Sequence, residues 1–169
     1  DWYDKYPCYQ NAQADPEGVD RERGRIWKVT YTGKPLHPVS DLSKSSAKEL
    51  IAEFRSPNMP RRMLAMNELL DRLGSSAVPD LRATLNKGDA TQTEIIHSLW
   101  SLQRLDSLDA DLLRRFASNN DPAVRVHAMR ILSETKDFGS LRETLAVNGL
   151  KDADPLVERA AADALGRFP

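Results

Sequence analysis

A single cysteine, Cys8, stands in 169 residues. One thiol closes no internal disulfide. It also excludes a Cys-x-x-Cys-His haem attachment or a Cys-rich zinc site built from this chain alone. An excess of charge of one sign is missing too. The 24 basic and 25 acidic residues leave a net −1, so no global field favours nucleic acid or an anionic membrane. No apolar run approaches the roughly 18 residues of a membrane span. No stretch reads as a signal peptide, and the chain opens on Asp1 rather than Met. The expectation is a processed or excised piece of a longer protein, with its compartment not directly encoded. Aromatic residues thin out after residue 40: all four tyrosines, with Trp2 and Trp27, come before it.

What the chain does have is a ladder of helix starts. Asn58, Asp89, Asp121 and Asp154 stand 31, 32 and 33 residues apart, and each precedes an amphipathic apolar run. A period in the low thirties marks a helical solenoid. Asn or Asp at an N-cap accepts a bond from an otherwise unpaired N–H. Pro122 and Pro155 fall at the first helical position, where a missing N–H is harmless. Gly74, Gly88 and Gly149 fall at helix ends, where a left-handed cap favours glycine. After a short helix near 47–55, the spacing predicts A helices over 58–73, 89–104, 121–135 and 155–167. B partners are predicted over 77–87, 109–118 and 138–147. Ala65, Ile96, Ala128 and Ala161 recur in the A helices as one register. Leu81/Leu85, Leu112/Phe116 and Leu141/Leu145 recur in the B helices as i, i+4 pairs. Small residues let helices approach, and the large pairs fill the layer between them.

Residues 1–40 read differently. Asp1-Trp2-Tyr3 is a short aromatic run, and Arg25-Ile26-Trp27-Lys28-Val29-Thr30-Tyr31 alternates with period two. That pattern predicts a hairpin with a long loop, closed by Thr32-Gly33-Lys34-Pro35. The division expected is a hairpin arm over 1–40 and a solenoid over 41–169.

Residues 57–169 resemble HEAT repeats, most closely at Asp121–Leu132, where Asp-Pro-x-Val-Arg opens an Ala-containing helix. The family's arginine is matched by Arg62 and Arg125, while Thr93 and Glu158 stand in the equivalent places. The resemblance implies a mainly α fold, a right-handed α-α superhelix of about three and a half repeats. The last unit lacks a B helix for Leu156, Ala160, Leu165 and Phe168, so the array is expected to continue beyond this chain. Asp1-Trp2-Tyr3-Asp4, Asp15–Arg21 and Gly24–Tyr31 are similar to the end of a particular β-propeller. It occurs in large exported planctomycete-type bacterial proteins. These join a sorbosone-dehydrogenase-like propeller to HEAT repeats, and often to a c-type cytochrome. That resemblance implies an exported or periplasmic module, with a cytoplasmic location the alternative. Its partner would be a propeller domain or cytochrome of the same or another chain.

Candidate chemistry is thin. His37, His97 and His127 lack the close spacing of zinc ligands. Asp15, Glu17 and Asp20 form an acidic loop without the Asp-x-Asp-x-Asp-Gly order of a calcium site. Cys8 with His37 lacks any feature that would activate a thiol. Nothing calls for a cofactor. Arg82, Arg114, Arg115 and Arg142 lie on successive B helices, which in HEAT solenoids line the concave side. They are the candidate partner-binding residues, for an acidic partner or a nucleic-acid backbone. Against nucleic acid, residues 57–169 hold 15 basic and 16 acidic side chains, and a basic footprint needs a clear excess. Met59, Met63 and Met66 could form an adaptable binding stripe, but their spacing equally fits a helix core face, and the core face is the expectation. The expected function is a non-catalytic scaffold and interaction module. The alternatives are a free-standing HEAT protein acting through its arginines, an enzyme using the N-terminal loop, and a lyase-type helper.

Overall fold

The computed structural model describes residues 2–4, 19–24, 29, 32–33, 40–135 and 138–167. It divides into two units, Asp1–Val39 and Ser40–Pro169. In the first, β1 (Trp2–Asp4) pairs antiparallel with β2 (Val19–Gly24), with Trp2 opposite Gly24 and Asp4 opposite Val19. The strand expected at Arg25–Tyr31 lies outside the described residues except for Val29. That residue is not in a strand and is almost wholly exposed.

The second unit is helical. A capping box of Ser46 and Glu49 starts α1 (Ala47–Ala52), which continues as a 3-10 turn over Glu53–Arg55. Asn58 caps α2 (Met59–Glu68), which runs through a π-type turn, Leu69–Leu73, to Gly74. Gly74 has φ +54°, which glycine adopts without a Cβ penalty. A 3-10 turn over Gly74–Ala77 leads into α3 (Val78–Leu85). Then come α4 (Gln92–Arg104), α5 (Ala110–Ala117), α6 (Pro122–Glu134), α7 (Gly139–Gly149) and α8 (Pro155–Gly166). Along the A layer, α2 contacts α4, α4 contacts α6 and α6 contacts α8. On the other side α1 lies against α3, and α5 against α7. Each of α3, α5 and α7 also packs on the A helix that follows it.

Asp89 does not cap α4. Thr91 does, in a capping box with Glu94, and Asp89 lies two residues upstream with its carbonyl accepting from Arg55 (3.3 Å). The reciprocal box satisfies two backbone donors, where a lone Asp would satisfy one. The caps are therefore residues 58, 91, 121 and 154, at intervals of 33, 30 and 33. This moves the small-residue register. Seven residues past each cap stand Ala65, Ser98, Ala128 and Ala161, all fully buried. Ile96, two residues off, is only half-buried. Likewise the residue equivalent to Arg62 and Arg125 is Ile95, not Thr93.

The B layer also departs in part from the i, i+4 pairs. Leu81 and Leu85 are buried as expected, but in α5 the buried pair is Leu113 and Phe116, with Leu112 half-buried. In α7, Leu145 is buried and Leu141 half-buried. Gly88 and Gly149 are not left-handed caps, since neither has positive φ. Gly149 instead meets a close neighbour. A Cβ built there would lie 2.8 Å from Ala161 Cβ and 3.2 Å from Met129 Sδ.

Candidate functional site

The four B-helix arginines are engaged with their own chain. Arg82 reaches across to the next helix start, donating to Asp109 (2.6 Å) and to the Ser107 carbonyl (2.7 Å). Arg115 reaches back, donating to Asn86 Oδ1 (2.9 Å) and the Leu85 carbonyl (3.0 Å). Arg142 is buried rather than exposed. It donates to the carbonyls of Leu132 and Thr135 at the end of α6, where a helix dipole favours a cation. Arg114 pairs with Asp111 one turn away on its own helix and, like Arg115, is exposed. The structure places Arg82, Arg115 and Arg142 as staples between helices, and Arg142 leaves the proposed exposed stripe.

Other polar residues join neighbouring repeats. Glu94 is nearly inaccessible. Burial works against its charge, but Arg55 (2.8 Å) and the Thr91 backbone and hydroxyl outweigh this and hold its carboxyl below the usual range. Arg125 forks onto both oxygens of Asp152 (2.8 and 2.7 Å), a bidentate pair joining α6 to the loop before α8. Its bonds hold the Asp152 carboxyl below its ordinary value.

Two histidines lie in one register, six residues past Thr91 and Asp121. Arg62 Nε donates to His97 Nε2 (3.1 Å), and Trp100 Nε1 donates to His127 Nδ1 (2.9 Å). Arginine and tryptophan are donors only, so each ring must accept at that nitrogen. The remaining proton then sits on His97 Nδ1 and on His127 Nε2. Burial, the Arg62 charge and His127 push His97 down to about 4. Burial, then Arg130, lowers His127. His97 also stacks on Phe54, with ring centroids 5.1 Å apart. The two imidazoles therefore act as neutral acceptors between helices. Among the described residues no group of three His, Cys, Asp or Glu side chains is placed to hold a metal. Cys8, His37, Asp15 and Glu17 lie outside those residues, and Asp20 falls in β2.

Above this ladder a cavity of about 470 Å³ opens across α2, α4 and α6. Its wall is largely apolar: Met59, Met63, Met66, Ile96 and Trp100. The methionine stripe runs from surface to core. Met59 is 61% exposed, Met63 half-buried and Met66 buried, so only Met66 is a core residue. Arg62, Arg104 and Glu134 bring charge to the cavity. The spacing of the three methionines was visible in the sequence. Their company with Trp100 and Arg104 depends on packing between repeats and was not.

No family model, curated protein or solved structure matches the chain. No helix among the described residues is long and apolar enough to cross a membrane.

Proposed function

We propose that the chain is a non-catalytic scaffold and protein-interaction module. In this reading Ser40–Pro169 is a short right-handed α-α superhelix of HEAT type. The first forty residues form a hairpin arm that closes a propeller blade in a larger exported dehydrogenase. One observation carries the proposal. Many polar side chains of the helical unit hold caps and inter-helix bonds, while an open apolar groove remains across three A helices. Grooves of this kind take up side chains of a partner, and methionine suits such a surface because it is unbranched and polarizable. Two layers of helices in a 33, 30, 33 register support the HEAT reading.

The rival that uses the B-helix arginines for nucleic acid is disfavoured by their engagement with Asp109, Asn86 and backbone carbonyls. Affinity capture with this chain from a native bacterial extract, washed at rising salt, tests the proposal. A c-type cytochrome or a propeller protein retained at moderate salt is the expected result. Nucleic acid that elutes as salt rises would overturn it, because phosphate binding weakens steeply with salt.

A further inference from the structure

We propose that the α2–α4–α6 groove docks an acidic, amphipathic peptide segment of a partner protein, seating one large apolar side chain between Met63, Ile96 and Trp100 with flanking carboxylates on Arg62 and Arg104. The inference rests on the interaction-module reading and names the partner's chemistry at that site.

The groove's polar groups are mostly donors. Arg62 is fixed at two points, through Nε to His97 (3.1 Å) and through Nη1 to the Ser56 carbonyl (2.7 Å). Its Nη2 has no partner among the described residues. An arginine held this way presents a bond to carboxylate with little further ordering cost. His127 accepts from Trp100 at Nδ1, so its Nε2–H is left as a second donor on the cavity wall. Arg104, exposed at the end of α4, makes no ion pair among the described residues. Most arginines of the helical unit behave differently: Arg55, Arg61, Arg72, Arg82, Arg114, Arg125 and Arg167 each hold a carboxylate of this chain. Among the described residues Glu134 is the only carboxylate on the groove wall, against Arg62 and Arg104, so this wall carries a net positive charge.

The dimensions suit a short segment. Gln92 and Arg104 both line the groove. They are twelve residues apart on one helix, about 18 Å along its axis. A three-turn helix laid alongside α4 spans that length, with its apolar anchors on one face.

The test uses the whole chain with its methionine methyls labelled with carbon-13. The four methionines are Met59, Met63, Met66 and Met129. Three line the groove, and Met129, buried against the Gly149 turn, is an internal control. The probes are twelve-residue peptides with one central Phe flanked by Glu, by Lys or by Gln. The Glu peptide should shift Met59 and Met63 and leave Met129 unmoved. Arg104→Glu should weaken it about tenfold, the effect of losing one charge-assisted bond, and should improve the Lys peptide. Arg104 is exposed and makes no ion pair among the described residues, so this variant should keep the fold. Equal binding of the Glu and Lys peptides, or no shift at Met59 and Met63, would overturn the inference. An equal shift with benzoate alone would show a small-acid pocket and overturn it too. If native capture still retains a propeller or cytochrome in either case, the scaffold reading stands and only the peptide assignment fails.

Discussion

Replacing Gly149 with alanine should destabilise the protein, although the same change in an open helix position stabilises it. Gly149 is the last residue of α7, and helix propensity alone would favour alanine by about 0.5–1 kcal/mol. Packing opposes this. The new Cβ would lie 2.8 Å from Ala161 Cβ and 3.2 Å from Met129 Sδ. The thioether of Met129 can swing aside, but Ala161 Cβ is fixed to the α8 backbone and is fully buried. The helices must therefore separate, and overpacking of this size costs about 1–3 kcal/mol. The two terms differ in sign, so the direction of the change decides. Urea unfolding of Gly149→Ala should show a lower midpoint at unchanged slope. Ala161→Gly alone should cost about 1 kcal/mol from propensity. The double variant carries the methyl on the other helix and should recover stability relative to the sum of the two, a coupling on the order of 1–3 kcal/mol. A Gly149→Ala protein more stable than its parent would refute the close approach of α7 and α8.

Leu113→Ala should cost about 2–5 kcal/mol and Leu112→Ala clearly less, because Leu113 is fully buried and Leu112 is not. Paired thermal melts check the order, and equal losses would restore the i, i+4 register. Thr91→Ala should cost about 1 kcal/mol, while Asp89→Ala, on an exposed residue outside the cap, should cost little; urea midpoints separate them. His97 protonates at about 4 in the folded chain against an ordinary 6.5. The unfolded chain takes up its proton first as pH falls. Stability from this group is therefore complete above 6.5 and is lost between 6.5 and about 4, by about 3 kcal/mol at most. His97→Gln should flatten that part of the stability curve, and a His97 signal titrating near 6.5 by NMR would contradict the buried acceptor. Hydrogen exchange near pH 4.5 should lose protection in α2 and α4 before α6 and α8.

The parts of the fold that were legible in the sequence are those built from local chemistry. Asn58, Asp121 and Asp154 each carry a side-chain acceptor beside a helix start, two of them followed directly by proline, and all three are caps. Asp89 has the same side chain but loses to Thr91, whose partner Glu94 completes a box visible in the sequence as Thr-x-x-Glu. That two-residue slip moved the small-residue register from Ser98 to Ile96. The bonds of the B-helix arginines were not legible for another reason. Periodicity places a Cα on a helix face but does not say where a long side chain ends, and the tips of Arg82, Arg115 and Arg142 reach neighbouring loops and carbonyls. The groove was hidden because its polar contacts join residues about one repeat apart, Arg62 with His97 and Trp100 with His127. Once Thr91 is the cap, both histidines fall six residues past a helix start, and that shared position is the signal that could have found them.

The three seams of the A layer are of two chemical kinds. The first two are closed by neutral imidazoles that accept from Arg62 and Trp100, and the third by the charged fork of Arg125 on Asp152. Acid reaches the α2–α4 seam near pH 4, when His97 takes a proton and can no longer accept. It reaches the third only below the ordinary carboxylate range. The expectation is a stack with a direction, in which acid loosens the α2 end first and the α6–α8 clasp is the last to let go.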